Sequence, residues 1–211
     1  MLTKNFFGKP RISMTSIQDI IINLHYLPDV ITNHFADGSN FGVRITYLYE
    51  EEKILGGAGA IKNAESLING DFLVMDGDVM TNLNLSNMLN FHKEKGGIAT
   101  FLAHYTTHPY DSDNIEFDEN FRITKFFRPK KGEKLDKPIC KSGTHIFTPE
   151  VFQFIPKDTE FSIQFDLIPL LLKGNRPCYV YFTTTDYAKD MGTHDRLEQV
   201  REDYRLGKIS Y

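Results

Sequence analysis

The sequence predicts an α/β protein, a three-layer α/β/α sandwich whose mostly parallel sheet carries antiparallel additions. Three observations support that expectation. Short β-branched or apolar runs alternate with stretches of helical spacing through the first half of the chain, the order that builds βαβ units. Some of these runs end in carboxylates or glycines, as strands do where they deliver their C-terminal ends to a ligand edge. After residue 110 the pattern changes to a hairpin and short strands, which adds antiparallel neighbours. At 211 residues the chain has the length of one domain, residues 1–211, around one buried core.

The elements follow in order. Ile20, Ile21, Ile22, Asn23 and Leu24 form a β-branched run suited to a buried parallel strand, and residues 28–35 read as a helix with Pro28 in its first turn. Val43, Ile45, Tyr47 and Tyr49 alternate with Arg44, Thr46 and Leu48 as a second strand. Residues 58–67 suit a helix entered from Gly56, Gly57 and Gly59. Residues 72–75 form a third strand, and a helix follows from about Ser86, with Leu85, Met88, Leu89 and His92 at helical spacing. His92 reads as a helix-face residue, not a ligand. Residues 98–104 are the next strand, and residues 114–117 with 122–127 make a hairpin around Asp118-Glu119-Asn120. Residues 144–147 are a strand, after which Thr148 reads as the N-cap of a short helix with Pro149 at its first position. Residues 165–172 are helical with Pro169 disturbing their regularity. Residues 179–182 and 187–189 are short strands, and Thr193 caps a final helix with Leu197, Val200 and Tyr204 on one face.

Composition excludes several functions. Hydrophobic residues at 41%, charged residues at 25% and a net charge of −4 give no polyanion-binding signal, so a nucleic-acid polymer is not an expected partner. The lysines between Lys125 and Lys137 cluster around Pro129, Gly132 and Pro138 and read as a solvated loop. Cys140 and Cys178 have no CxxC spacing and read as reduced, small apolar residues. No run approaches the ~18 apolar residues of a membrane span, and the start has no signal-peptide core, so a cytoplasmic location is expected.

Three segments concentrate chemistry. Asp71-Phe72-Leu73-Val74-Met75-Asp76-Gly77-Asp78 is an apolar strand ending in two carboxylates around a glycine: an acidic turn, or a metal edge where carboxylates hold Mg²⁺ and the ion holds phosphate. Leu55, Gly56, Gly57, Ala58 and Gly59 form a strand-to-helix turn stripped of side chains. There the backbone can approach a base or phosphate and the helix offers free N–H groups, although helix–strand packing also asks for small residues. In Tyr187-Ala188-Lys189-Asp190-Met191-Gly192-Thr193-His194 a carboxylate ends a strand before a glycine turn. Mg²⁺ keeps most of its water and takes about one or two protein carboxylates. Asp78 and Asp190 fit that need, with Asp76 either an acceptor that orients a ligand or a partner for a ribose hydroxyl.

With these segments in place, the chain from about Asp19 to its C-terminus resembles the sugar-1-phosphate nucleotidyltransferases, also called NDP-sugar pyrophosphorylases, which have a Rossmann-like sheet. Leu55-Gly56-Gly57-Ala58-Gly59 is similar to the family's Leu-Gly-Thr-Ala-Gly base-binding turn, with Gly57 in place of threonine. Phe72 to Asp78 is similar to its strand ending in Asn-Gly-Asp, which implies nucleotide binding around Asp76 and Gly77 and a metal role for Asp78. Asp190-Met191-Gly192-Thr193 resembles its Asp-Ile-Gly-Thr-Pro turn, with His194 in place of proline, and Asn23-Leu24-His25-Tyr26-Leu27-Pro28 also matches. Arg128 aligns with the lysine of the family's Glu-Lys-Pro, while Phe127 replaces the glutamate. Lys141-Ser142-Gly143 aligns with Asn-Ala-Gly, so Lys141 and Gly143 take the sugar-phosphate positions without the asparagine; His145 beside them reads as a packed or surface residue. The resemblance implies attack by a sugar 1-phosphate oxygen on the α-phosphorus of an NTP, giving NDP-sugar and pyrophosphate, with catalysis by positioning and charge neutralisation. Catalytic roles fall to Asp78, Asp190 and Arg128, and Mg²⁺ is the implied cofactor. The stretch from His108 to Asp113 is closer to the mannose- and heptose-phosphate guanylyltransferase branch, which favours GTP.

The family also opens with a strand running into a Gly-Gly-x-Gly-Thr-Arg loop, and no such run occurs in this sequence. Phe7-Gly8-Lys9-Pro10 resembles only the segment after it, so residues 1–18 read as a degenerate remnant of an N-terminally truncated fold with sheet edges to cover. Loss of one preorganised donor costs on the order of 10²–10³ in rate, so this chain alone is expected to turn over poorly. One reading is a nucleotidyltransferase whose N-terminus was lost through a misplaced start or a frameshift or is supplied by another chain or copy; the alternative is a non-catalytic nucleotide- or partner-binding relative. A third reading is a metal-dependent glycosyltransferase with Asp76-Gly77-Asp78 as its Asp-x-Asp motif.

Overall fold

The computed structural model describes residues 17–51, 53–106 and 108–209; the expected N-terminal remnant lies outside them except for Ile17 and Gln18. Strand β1 (Asp19–Leu24), helix α1 (Pro28–Phe35) and strand β2 (Arg44–Tyr49) make a βαβ unit, with β1 and β2 parallel and paired from Asp19↔Arg44 to Leu24↔Tyr49. Helix α2 (Gly56–Asn63) follows, then β3 (Phe72–Met75), β4 (Val79–Thr81), helix α3 (Leu85–Lys95) and β5 (Ala99–Tyr105). The hairpin is β6 (Asn114–Phe117) and β7 (Ile123–Phe127), and β8 is the nine-residue strand Ile139–Phe147. After a 3-10 turn (Pro149–Phe154) and a π turn (Ile163–Leu167) come α4 (Ile168–Lys173), β9 (Cys178–Phe182), β10 (Ala188–Asp190) and α5 (His194–Arg205).

Strand β8 organises the main sheet. It pairs antiparallel with β5 along one edge, and with β3 and the start of β6 along the other, while β9 lies parallel to β5. Hence β3, β5, β6 and β9 all point one way, and β7 and β8 run against them. Strand alternation separates two faces. Ala99, Phe101 and Ala103 turn towards Ala58 and Ile61 of α2, Val151 and Phe152 of the 3-10 turn, and Leu167, Ile168 and Leu171 around α4. Leu102 and Ile146 turn the other way, onto Met88 of α3 and Leu83. Helices on both faces of one sheet give the three layers. Among the described residues no helix is long and apolar enough to cross a membrane.

The strand edges without a partner strand among the described residues include those of β3 and β1. The Asp76 N–H donates to Gly143 O at 2.8 Å, so even-numbered residues of β3 face β8 and the peptide groups of Leu73 and Met75 face an edge with no described partner strand. In β1, the bonds from Arg44 N–H to Gln18 O (2.7 Å) and from Glu50 N–H to Leu24 O (2.8 Å) turn even-numbered residues to β2, leaving Ile21 and Asn23 on the outer edge.

Several elements depart from expectation. Strand β8 begins five residues before Thr144, because Lys141-Ser142-Gly143 hid a strand behind polar residues and a glycine. Thr148 has extended backbone angles but makes no capping bond, and its Oγ1 is buried without a partner. Ser162 is the cap nearby, its Oγ accepting the Gln164 and Phe165 N–H groups at 3.2 Å, and Pro169 falls in the first turn of α4, where its missing N–H costs nothing. Thr193 does cap α5, accepting the Arg196 N–H at 3.3 Å. The inward face of α5 is Val200 and Asp203, with Tyr204 53% exposed.

The histidines link packing to pH. His92 is buried with Nδ1 2.7 Å from Thr100 Oγ1, and His145 is wholly buried in β8. Burial pushes both imidazoles below the ordinary histidine value of 6.5, His145 far below. His104 is pushed upward, chiefly by its contact with Cys140. Below about pH 6.5 the unfolded chain takes up protons at His92 and His145 that the folded chain does not, so stability falls with pH, by at most about 1.4 kcal/mol per pH unit for each. His104 has the opposite sign: its contribution is present at low pH and lost as pH rises through its folded value. The thermal midpoint is therefore expected to fall from pH 7.5 to 5.5, less steeply in His92→Gln and more steeply in His104→Gln; equal slopes in all three proteins would refute these assignments.

Candidate functional site

The chain end of β3 turns through Asp76-Gly77-Asp78 into β4, and β4 pairs antiparallel with β10, which places Asp190 opposite Val79. The Met191 N–H donates to Asp78 O at 2.7 Å and locks the two turns together. Between the carboxylates lies Gly192: a Cβ there would stand 2.8 Å from Asp78 Oδ2 and 3.2 Å from Asp190 Oδ1. Two segments 112 residues apart thus deliver their carboxylates to one glycine-made gap. Asp190 Oδ1 accepts the Gly192 N–H (2.7 Å) and an Arg196 guanidinium N–H (3.0 Å). Among the described residues no group of three or more His, Cys, Asp or Glu is arranged to hold a metal ion. Two hard carboxylates alone suit a cation whose remaining positions are filled by water and phosphate, which is how Mg²⁺ is commonly held.

Asp76 lies beside this pair. The residue is open to solvent, but its carboxyl tip is tucked against Gly143, where any side chain would collide with it. Loss of water at that tip pushes the Asp76 pKa up, the Lys141 charge opposes the rise, and the charges of Asp78 and Asp190 add to it. Lys141 Nζ donates to Ser142 O at 3.1 Å and stands 3.4 Å from His145 Nε2. Burial pushes the Lys141 amine down, while Asp76 and Asp113 pull it back up. Arg128 forms a 2.6 Å ion pair with Asp113 and lies over the Phe165 ring at 5.5 Å. The Asp113 carbonyl also accepts the Lys141 N–H at 2.9 Å. Asp113 therefore draws Arg128 and Lys141, the two cations expected at the sugar phosphate, into one charge cluster.

The glycine turn at the start of α2 differs from expectation. The Ala58 and Gly59 N–H groups donate to Phe161 O at 2.9 and 3.1 Å, and Phe161 N–H donates to Leu55 O at 2.8 Å. Gly56, with φ of +69°, and Gly59 leave no room for a Cβ, because Phe161 O and Thr159 O would lie 2.9 and 2.6 Å away. A Cβ at Gly57 would stand 3.2 Å from the Ile163 side chain, and the Leu55 N–H donates to Glu50 Oε2 at 3.3 Å. The turn's small residues let the 159–161 segment lie on the helix start, so the Ala58 and Gly59 amides are not free for phosphate as the sequence had implied. The structure brings Asp76, Asp78, Gly143, Lys141 and Asp190 together; Arg128 joins them through Asp113. Sequence reading missed Asp113, 15 positions from its partner, and Asp203, which helical spacing places beside the apolar stripe of α5.

Comparison with known proteins shows the family. The Nucleotidyl transferase family model matches residues 9–206. UTP–glucose-1-phosphate uridylyltransferase of Synechocystis sp. is 32% identical over 173 residues, 76% of this chain and 45% of that protein. Mannose-1-phosphate guanylyltransferase of Mycobacterium tuberculosis is 29% identical over 184 residues, 87% of this chain and 50% of that protein. The crystal structure of HddC from Yersinia pseudotuberculosis superposes with a TM-score of 0.74 at 22% identity, covering 90% of this chain and 80% of that one, which is a likeness of fold. The chain spans about half the length of the curated relatives it matches. A match over nearly all of the chain, with the Asp78 and Asp190 turns meeting at Gly192 inside it, makes this chain a member of the nucleotidyl transferase family.

Proposed function

We propose that this chain takes part in transferring a nucleoside monophosphate from an NTP to a sugar 1-phosphate, releasing pyrophosphate. The observation that supports this most is the convergence of Asp78 and Asp190 on Gly192. On this reading the two carboxylates hold a Mg²⁺ ion, which when bound supplies positive charge to the phosphates. The chain's own groups do the rest. Arg128 and Lys141 meet the phosphate of the sugar 1-phosphate, and the Asp76 carboxylate accepts from a ribose hydroxyl or orients a neighbouring ligand. Attack by the sugar phosphate oxygen on the α-phosphorus forms one P–O bond as the bond to pyrophosphate breaks, and positioning dominates such a step. GTP is the favoured nucleotide, in keeping with the guanylyltransferase among the relatives, and the cytoplasm, where nucleotides are abundant, the favoured location. A second reading, binding without turnover, is favoured by the edges of β1 and β3 that have no partner strand among the described residues and by the engaged Ala58 and Gly59 amides.

Pyrophosphate release from GTP, UTP, CTP or dTTP with mannose, glucose or heptose 1-phosphate tests the first reading. Asp78→Asn and Asp190→Asn are expected to lower it by at least about 10²-fold, the scale of losing one fixed electrostatic partner; nucleotide binding by a folded chain with no pyrophosphate would favour the second. Gly192→Ala is expected to push the two carboxylates apart and weaken Mn²⁺-dependent GTP binding while leaving the melting temperature nearly unchanged, because the position is exposed. Unaltered Mn²⁺ dependence in that variant would argue against a cation at this gap.

A further inference from the structure

Strand β10, which delivers Asp190, has little to hold it. It is three residues long and its ladder partner β4 is also three, shorter than the strands that persist by pairing alone. Helix α5 beside it is strongly polar and buries only Val200 and Asp203. The Asp203 side chain, 2% exposed, accepts from Lys189 Nζ at 2.6 Å and Tyr187 OH at 2.9 Å, the residues on either side of Ala188. It also accepts from Gln199 Nε2 at 3.1 Å and Lys208 Nζ at 2.9 Å. The carboxylate therefore ties the entry of β10 to the last turns of α5, while Thr193 and the Arg196–Asp190 pair tie the strand's exit to the helix start. Buried carboxylates are costly unless fully paired, and this one is paired by two ammonium groups, a phenol and an amide.

We propose that Asp203 is a positioning residue for the Asp78–Asp190 pair: by clamping Tyr187 and Lys189 against α5 it fixes where β10 ends, and so where the Asp190 carboxylate stands relative to Asp78. The inference rests on the reading of Asp78 and Asp190 as the cation-holding pair. Groups that orient metal ligands without touching the ion typically alter affinity about 10–100-fold. A merely structural role would lower stability without that selectivity.

The test is Mn²⁺ titration followed by electron paramagnetic resonance on the full chain with GTP present. Asp203→Asn keeps the size and some acceptor capacity but removes the charge that holds both lysines. It is expected to weaken Mn²⁺ binding about tenfold or more at temperatures where it remains folded. Val180→Ala, a core truncation in β9, serves as the control, lowering the melting temperature while leaving Mn²⁺ affinity within about twofold, as expected where core packing and the site are independent. Should Asp203→Asn fail to fold, the double variant Tyr187→Phe with Lys189→Met keeps the carboxylate and removes its grip on β10, and the same weakening is expected. Wild-type Mn²⁺ affinity in the folded Asp203 or double variant, alongside loss of binding in Asp190→Asn, would overturn the positioning role alone. If the unaltered protein binds no Mn²⁺, or Asp190→Asn binds it as the wild type does, the cation site itself fails and the positioning role falls with it.

Discussion

The pairing of β8 with both β3 and β5 is the constraint on which the rest of the protein depends. One strand running against its two neighbours joins the βα half of the chain to the half that follows, and its inward residues Ile146 and Phe147 feed the two apolar layers. The same strand brings Gly143 under the Asp76 carboxyl and Lys141 beside it. Hence part of the core and one wall of the site are built from a single run of nine residues, and a shift of register by one would turn Phe147 from the α2 and α4 layer to the α3 layer and remove Gly143 from Asp76 together.

The site concentrates like charge. Loss of water raises the Asp76 pKa, and the Asp78 and Asp190 charges add to that rise; of the cations nearby, Arg196 is paired with Asp190 and Arg128 with Asp113, while Asp76 and Asp113 pull the Lys141 pKa back up against its burial. Carboxylates crowded this way favour a divalent cation, because neutralising their mutual repulsion adds to the attraction each has for the ion. At the sugar-phosphate end the balance differs, since an incoming phosphate meets an Arg128 already paired with Asp113 and a Lys141 whose Nζ is bonded to Ser142 O. The anionic Asp203, by contrast, lies away from these groups and is held below the usual carboxylate range, chiefly by Lys189, so it acts on geometry and not on the charge of the site.

Much of this was legible from residue order. Pro28 opening α1, the Phe72–Met75 strand with Asp76 and Asp78 beyond it, the hairpin around Asp118 and the Thr193 cap all rest on local steric and hydrogen-bonding rules that neighbouring residues express directly. What was not legible depends on partners distant in sequence. Lys141-Ser142-Gly143 is a poor strand by propensity and becomes part of one because distant partners hold it: Lys141 pairs with Ala103 of β5, Gly143 O accepts the Asp76 N–H, and the β5 ladder resumes at His145 after an irregularity. The glycines of Leu55–Gly59 were expected at a strand-to-helix turn and form the first turn of α2, reached from a loop and not from a strand, and the backbone that approaches them is Phe161, about a hundred residues away.

By itself, the sequence determined the class of fold, the order of its elements apart from β4, and which carboxylates end strands, because periodicity, caps and chain punctuation act within a few residues. Only the tertiary structure decided that Asp78 and Asp190 meet across Gly192, that Asp113 claims Arg128, that Phe161 takes the Ala58 and Gly59 amides, and that the buried side of α5 is a carboxylate. Those outcomes are set by β-sheet register and by where buried charges find partners, and both are long-range properties that no short window of residues contains.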